Sequence, residues 1–395
     1  MSAQSYLSRG VSPTKDDVKK AVSNQSKGLF PGSFCKIIPD IAGDENYCIA
    51  VHADGAGTKS SVAYMMNKET GDLSWFKGIA QDSLVMNTDD LLCIGAVNEF
   101  YLSNTIGRNA HRVDGKAIGA IIEGYNEITD KLQTLGVNVI MTGGETADVG
   151  DLVKTVIADS TAVVRMNRSD VISAANIKPG DVIVGLASYG RSTYETKENS
   201  GIGSNGLTAA RHMLLHKSYL AKYPESVSET IPEDKIYCGK YLLTDNLPGS
   251  TMNVGEAILS PTRTFLPVIK EIFNKINRNQ IHGMIHCTGG GQVKCKDFGE
   301  KLCYVKDNLF ERPPIFKAIY ESGEVPAKEM YQIFNMGHRL ELYCDKTVAE
   351  VIISISKSFD IDAKIIGYVK ENDQKENGQI ENTVIIRDLG EEFLY

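Results

Sequence analysis

No two of the eight cysteines, Cys35, Cys48, Cys93, Cys238, Cys287, Cys295, Cys303 and Cys344, stand in a C-x-x-C spacing, and none cluster. That scatter argues against a structural zinc site and against a disulfide framework. No apolar run approaches the ~18 residues of a membrane span. The opening residues Met1 to Tyr6 lack a basic stretch followed by an apolar one, so no secretory leader is expected. Together these absences lead to the expectation of a reduced, cytoplasmic protein. Basic charge is also short, with 42 Lys and Arg against 50 Asp and Glu and a net charge of −8. General nucleic-acid and membrane-surface binders want a basic face, so neither partner is expected. Neither G-x-x-x-x-G-K-[ST] nor G-x-S-x-G occurs, which removes the ordinary P-loop and the nucleophile elbow.

What is present is organised around Ala53-Asp54-Gly55-Ala56-Gly57-Thr58-Lys59, at the end of the apolar run Tyr47 to Val51. The run reads as a buried strand, and two glycines one residue apart let the backbone turn and approach a ligand closely. Asp54 could hold a divalent metal and Lys59 could meet phosphate as a point charge. A loop with a solvated Asp and Lys fits this stretch equally well. At 395 residues two domains of ~100–200 residues each are expected. The pattern breaks around Arg165 to Asp170, which places the boundary near residue 168 and gives domains 1–168 and 169–395.

Along the first domain, Ser12 to Val18 offers a helix start and Lys27 to Ile37 reads as a lid-like loop. Ile79 to Ile94 reads as a helix carrying Asp82, Asp89 and Asp90 among Leu84, Val85, Met86, Leu91 and Leu92. Acids in such company need a cation or a metal if buried. Lys116 to Leu135 has amphipathic spacing with Gly136 suited to the C′ position. Val137 to Met141 then reads as a strand entering a glycine-rich turn, Thr142 to Asp148, so a strand followed by glycines and an acid occurs twice. Ligand groups gather at strand ends in sheet-based folds. Val153 to Val164 completes the strand-like sequence of this half.

In the second domain Val182 to Ala187 is an apolar strand. Gly201-Ile-Gly-Ser-Asn205-Gly206 matches G-x-G-x-x-G, but the twelve residues Tyr189 to Ser200 stand between it and that strand, so a dinucleotide site is rejected. The segment instead starts a helix, Leu207 to His216, whose free N–H groups could take an anion. Residues 218 to 254 read as an excursion, and a helix is expected from Pro261 to Ile276 with Pro267 interrupting it. Ile281 to His286 is strand-like and runs into Gly289-Gly290-Gly291, which suggests close approach of another group. Leu340 to Tyr343, Ala363 to Val369 and Thr383 to Arg387 read as strands, Thr347 to Phe359 as an amphipathic helix, and the tail Gly390 to Tyr395 carries no motif.

In order, Asp54-Gly-Ala-Gly-Thr-Lys59, Asp89-Asp90-Leu-Leu-Cys-Ile-Gly95-Ala96, Gly143-Gly144-Glu145-Thr146-Ala147, Ser204-Asn205-Gly206, Ser260-Pro-Thr-Arg263, His286-Cys-Thr-Gly-Gly-Gly291 and Phe334-Asn335-Met-Gly337 resemble the aminoimidazole ribonucleotide synthetase family. The resemblance runs from about residue 50 to 345. It implies a two-domain α/β (α+β) fold in a homodimer, the N-terminal domains pairing into a β-barrel-like interface with ATP beside it. It implies ATP-dependent ring closure of formylglycinamidine ribonucleotide, with ATP and Mg2+ as cofactors. By the same resemblance Asp54, Asp90 and Glu145 are magnesium ligands. Lys59 is a phosphate contact, Thr146 a nearby hydroxyl and His286 the proton-transfer residue. Gly55, Gly57, Thr58, Gly143, Gly144 and Asn205 line the nucleotide and substrate. Gly201-Ile202-Gly203 departs from the family's Gly-Pro-His. Cys35-Lys36-Ile37 is also similar to the reactive loop of selenophosphate synthetase, which gives an alternative of ATP-dependent selenide phosphorylation. A non-catalytic nucleotide-binding paralogue is the third reading.

Overall fold

The computed structural model describes residues 4–11, 16–373 and 380–395. Residues 12–15, part of the expected helix start, lie outside the described residues. Two short helices, α1 (Gln4–Leu7) and α2 (Asp16–Val22), precede the first sheet. That sheet contains β1 (Ile37–Pro39), β2 (Tyr47–Gly55), β3 (Glu99–Arg108), β4 (Asn138–Asp148) and β5 (Val156–Asn167), in the order β1-β2-β5-β3-β4. Only the β3/β4 pair is parallel.

From Val156 to Val164 along β5, every second side chain is buried and the alternate ones are half-buried. That period-two pattern means one face of the sheet is covered. The cover is α4 (Trp75–Leu92) with α5 (Gly115–Thr134), while α3 (Lys59–Thr70) packs on α4. The expected helices at 79–94 and 116–135 are therefore found, the second ending on Gly136 at φ 80° as C′. Buried residues occur all round α4, because it touches the sheet, α3, α5 and the second half of the chain.

Two expectations change here. β2 and β4 do not stop before their glycines, because strand pairing continues through Asp54-Gly55 and through Thr142 to Asp148. In β4 the reason is a register shift opposite Leu102/Asn104, with Gly143 at φ 101° and Gly144 so close to Asn104 that a Cβ would collide with its Oδ1. The glycines allow a bulged strand, where a turn was expected.

The second sheet runs β14 (Glu391–Leu394), β13 (Thr383–Asp388), β10 (Leu302–Lys306), β12 (Ala363–Glu371), β6 (Val182–Ala187), β11 (His338–Cys344) and β9 (Ile281–His286). A two-residue ladder, β7 (Tyr189–Gly190) with β8 (Asn199–Ser200), follows β6. The tail read as empty of signal thus forms the edge strand β14. Helices α6 (Leu207–Leu214), α7 (Ser218–Lys222), α8 (Val254–Leu259), α9 (Leu266–Lys275), α10 (Pro314–Glu321), α11 (Ala327–Ile333) and α12 (Lys346–Ser358) complete this half. Pro267 lies in the first turn of α9, where its missing N–H costs nothing, so it starts the helix it was expected to interrupt. The excursion 218–254 lies back against α3: Tyr64 donates to Glu225 at 2.6 Å, and Lys222 and Tyr223 bind Glu69 at 2.6 and 2.8 Å. No helix among the described residues is long and apolar enough to cross a membrane.

Candidate active site

The two halves meet along a polar seam, and α4 supplies its carboxylates. Asp82 accepts from Lys59 Nζ at 2.9 Å and from the backbone N–H and hydroxyl of Thr262 at 2.7 and 2.5 Å. One helical face later, Asp89 accepts from the Thr264 hydroxyl at 2.7 Å and the Phe265 N–H at 3.0 Å. Asp90 turns the other way: Oδ1 lies 2.6 Å from His286 Nδ1 and Oδ2 lies 3.2 Å from His52 Nε2. The expectation that buried acids here need a cation or a metal is met by Lys59 for Asp82, by His52 for Asp90 and, at 3.8 Å, by Arg339 for Asp89.

Protonation follows from the partners. Arg339 donates its Nε–H to His286 Nε2 at 2.8 Å, so that nitrogen is bare and His286 carries its proton on Nδ1, facing Asp90. His52 differs, because its Nδ1 faces Asn87 Oδ1 at 3.1 Å and its Nε2 faces Asp90. The Asn87 amide orientation is set by its NH2, which donates to the carbonyls of Asp54 and Ser83 at 3.0 and 2.9 Å. Both His52 nitrogens therefore face acceptors, which suits an imidazolium. Burial alone opposes that charge, but Asp90 outweighs it and raises the His52 pKa. Burial likewise works against an ionised Asp90, yet hydrogen bonds from His286 and His52 hold its carboxyl well below the usual range.

Not all of the expected site residues come together. Lys59 is fully buried, and its three N–H bonds go to Asp82, Gly203 O at 3.2 Å and Ser260 O at 2.5 Å. It fastens the halves and holds no donor over for a phosphate. Its burial, only partly offset by Asp82, lowers its pKa. His286 is fully buried with both nitrogens engaged, so it orients Asp90 and is not presented to a substrate. The expected magnesium set does not fit one ion within one chain. Both Asp90 oxygens are taken, and Asp54 on β2 and Glu145 on β4 have β5 and β3 between them. Three inter-strand spacings amount to about 14 Å. Gly143, Gly144, Glu145 and Thr146 are exposed along the β4 edge, away from Asp54.

Asp54, Gly55, Gly57 and Thr58 do form an accessible rim, since Asp54, Gly57 and Thr58 are exposed and Gly55 is half-buried. Asp54 Oδ1 accepts the Gly55 N–H at 2.7 Å, and the Thr58 hydroxyl lies 2.9 Å from that of Thr208 in the first turn of α6. The glycine-rich start of α6 thus faces the loop from the other half. Ser204 bonds Thr262 at 2.8 Å, while the buried amide oxygen Oδ1 of Asn205 has no partner among the described residues. The N-terminal segment reaches the same place, where the Tyr6 side chain lies beside the Gly206 backbone. Sequence reasoning missed His52 and Arg339. His52 stands two residues before Asp54 on the same strand face, a period-two signal that was legible. Of the three glycines 289–291, Gly291 admits neighbouring backbone, since a Cβ there would lie 2.5 Å from Tyr331 O, while Gly289 meets nothing within 4 Å.

Residues 35–166 match the family model described as AIR synthase related protein, N-terminal domain, and residues 178–377 match the corresponding C-terminal domain. A phosphoribosylformylglycinamidine cyclo-ligase of Methanococcus vannielii is 31% identical over 352 residues, which is 88% of this chain and 85% of that protein. A protein of the same name from Pyrococcus horikoshii is 32% identical over 300 residues, covering 74% and 71%. Among solved structures, T. maritima PurL complexed with FGAR aligns with a TM-score of 0.55 at 14% identity over 95% of this chain, which spans 48% of that one. AaThiL complexed with AMPPCP and TMP aligns with a TM-score of 0.52 at 11% identity, covering 93% and 91%. At such identities the likeness is one of fold.

Proposed function

The chain belongs to the AIR synthase related family, and on that premise we propose that it is an ATP-dependent cyclo-ligase closing formylglycinamidine ribonucleotide to aminoimidazole ribonucleotide, with ADP and phosphate as co-products. The supporting geometric observation is the meeting of Thr58 with Thr208, where a glycine-flanked loop of one half faces the start of α6 from the other. An amide oxygen leaves poorly, so ATP first phosphorylates it; a nitrogen then attacks the activated carbon and phosphate departs. Holding the two centres together can contribute about 7–11 kcal/mol. The Gly55–Thr58 loop, Thr208 and the unpartnered Asn205 oxygen are suited to bind phosphate and amide groups, the N–H groups of α6 taking the anion.

His52, on the strand face that ends in Asp54, is the group we assign to the developing charge, acting through its positive charge and not through an N–H bond, since both of its nitrogens are engaged. Its imidazolium is held by Asn87 and Asp90, and its side chain is 23% exposed. His286 and Arg339 fix Asp90 behind it. Magnesium enters only as the ion that ATP brings with it, and no step depends on the Asp54, Asp90 and Glu145 set.

The homodimer belongs to the same proposal. Val51, Val163 and Tyr101 stand opposite one another on neighbouring strands of the uncovered sheet face, with Val51 49% and Tyr101 40% exposed. A second copy is proposed to cover this face. Val51→Lys should shift the protein to monomer in light scattering, whereas an unchanged dimer mass would remove this face from the interface. Cys35 speaks against the selenide alternative. It is buried, its thiol pKa is pushed up by burial, and its Sγ–H donates to Asp90 O at 3.3 Å.

The deciding experiment incubates the purified chain with formylglycinamidine ribonucleotide and ATP and follows ADP together with the diazotisable aminoimidazole. Stoichiometric release of both supports the cyclo-ligase. ATP binding without turnover over the full substrate range would overturn it.

A further inference from the structure

We propose that Asp181, His282 and Asp345 form a binding site for a transition-metal dication of the zinc class, at the end of the second sheet remote from the cleft. Asp181 immediately precedes β6, Asp345 immediately follows β11, and His282 is the second residue of β9. β11 lies between the other two strands, with Cys344 opposite both Val182 and Ile281, so three chain segments deliver their side chains to one corner. One ligand atom from each residue lies within 4.8 Å of the others.

The imidazole is oriented as a ligand would be. Asp181 is buried, takes the Lys178 N–H on Oδ2 at 3.0 Å, and faces His282 Nδ1 through Oδ1 at 2.8 Å. A carboxylate only accepts, so in the neutral imidazole it holds the proton on Nδ1 and leaves the Nε2 lone pair pointing outward. This is the carboxylate–histidine arrangement that supports metal-bound imidazoles. Nε2 looks at Asp345 Oδ2 across 3.9 Å, too far for a hydrogen bond, so the two donor atoms face a common point without being joined to each other. Asp345 sits at the N-cap of α12 and yet makes no side-chain bond to that helix, so its carboxylate is not spent on capping.

A dication bonded to both atoms draws them together. With metal–ligand bonds of ~2.0–2.2 Å, ordinary angles bring the two donors to about 3.0–3.4 Å apart, which a small rotation of half-exposed Asp345 achieves. Imidazole nitrogen with carboxylate oxygen favours Zn2+, Co2+ or Ni2+ over Mg2+, with water completing the coordination. Four residues of β9 separate His282 from His286, about 13 Å, so the site is separate from the seam. A second cluster of potential ligands among the described residues, Cys287, His338 and Glu341, is already filled by the Lys306 ammonium on Glu341.

The test titrates Co2+ into tag-free, chelator-treated full chain at saturating Mg2+. One Co2+ per chain should bind with weak d–d absorption and be displaced by Zn2+. His282→Gln and Asp345→Asn should each weaken binding at least tenfold, and Asp181→Asn by about 10–100-fold through lost orientation. Circular dichroism of the metal-free variants separates lost binding from lost folding, and Asp345, on the surface, is the variant least exposed to that problem. Equal Co2+ affinity in His282→Gln, an intense thiolate-to-cobalt band, or no uptake below millimolar Co2+ would overturn the site. So would an NMR titration showing both His282 nitrogens protonated and unmoved by Zn2+.

Discussion

Replacing Asp90 by Asn tests the reading of the seam at its most connected point. The new side chain can still accept the His286 Nδ1–H, but it presents an NH2 to His52, whose Nε2–H points at the same place. Two donors face each other until His52 gives up its proton and accepts. In the wild type the folded His52 pKa is raised, so its contribution is fully present below the unfolded value near 6.5 and is lost as pH rises through the folded value. Asp90, held low, contributes above an unfolded value near 3.9. Both contributions coexist between roughly pH 4 and 6.5. A hydrogen bond to a charged group is worth about 1.5–3 kcal/mol, so Asp90→Asn should destabilise by about 3 kcal/mol at pH 6. As pH rises from 6 to 9 and the charged contribution of His52 is lost, the deficit should shrink toward about 1 kcal/mol, the value of a neutral hydrogen bond. Urea unfolding at both pH values measures this, and histidine NMR reads the His52 pKa, which should fall in the variant. A deficit of equal size at pH 6 and pH 9 would refute the charged His52–Asp90 pair.

Lys59→Met should cost about 3–5 kcal/mol, because it leaves Asp82 buried without its cation. A variant as stable as the wild type in urea, with only its KM for ATP raised, would return Lys59 to the phosphates. Thr208→Val should raise the KM for ATP or for the nucleotide substrate without moving the thermal midpoint, and unchanged steady-state constants would take Thr208 out of the cleft. Gly291→Ala should destabilise by about 1–3 kcal/mol, since the position combines φ 54° with a Cβ pressed against Tyr331 O; a calorimetric scan showing no loss would contradict the backbone packing described.

The regular elements of both halves were legible because their burial is periodic, as along β5 and α5. β3 escaped notice because its run Glu99 to Arg108 mixes Asn, Ser and Thr with few β-branched apolar residues, and its place is decided by pairing with β4 and β5. α3 escaped because it starts at Lys59 inside the motif that drew attention to a loop. At the site, residue types were read correctly as charged groups in apolar surroundings, but the sequence carries no sign of which partner satisfies them. Lys59 and His286 looked like chemistry because each stands beside glycines at the end of a strand-like run; their partners, Ser260 and Arg339, lie 201 and 53 residues away. Asp54 and Glu145 look alike as acids beside glycines, and only strand order shows that two strands part them.

The seam also sets rules for splicing relatives together. A chimera joined between residues 168 and 181 would inherit α4 from one parent and the 260–265 stretch, His286 and Arg339 from the other, so each carboxylate must find its match in a foreign scaffold. Crossovers that carry Asp82 with Thr262, Asp89 with Thr264, and Asp90 with His286 as linked sets should yield working hybrids, whereas a cut that divides those sets strands ionised groups in the interior.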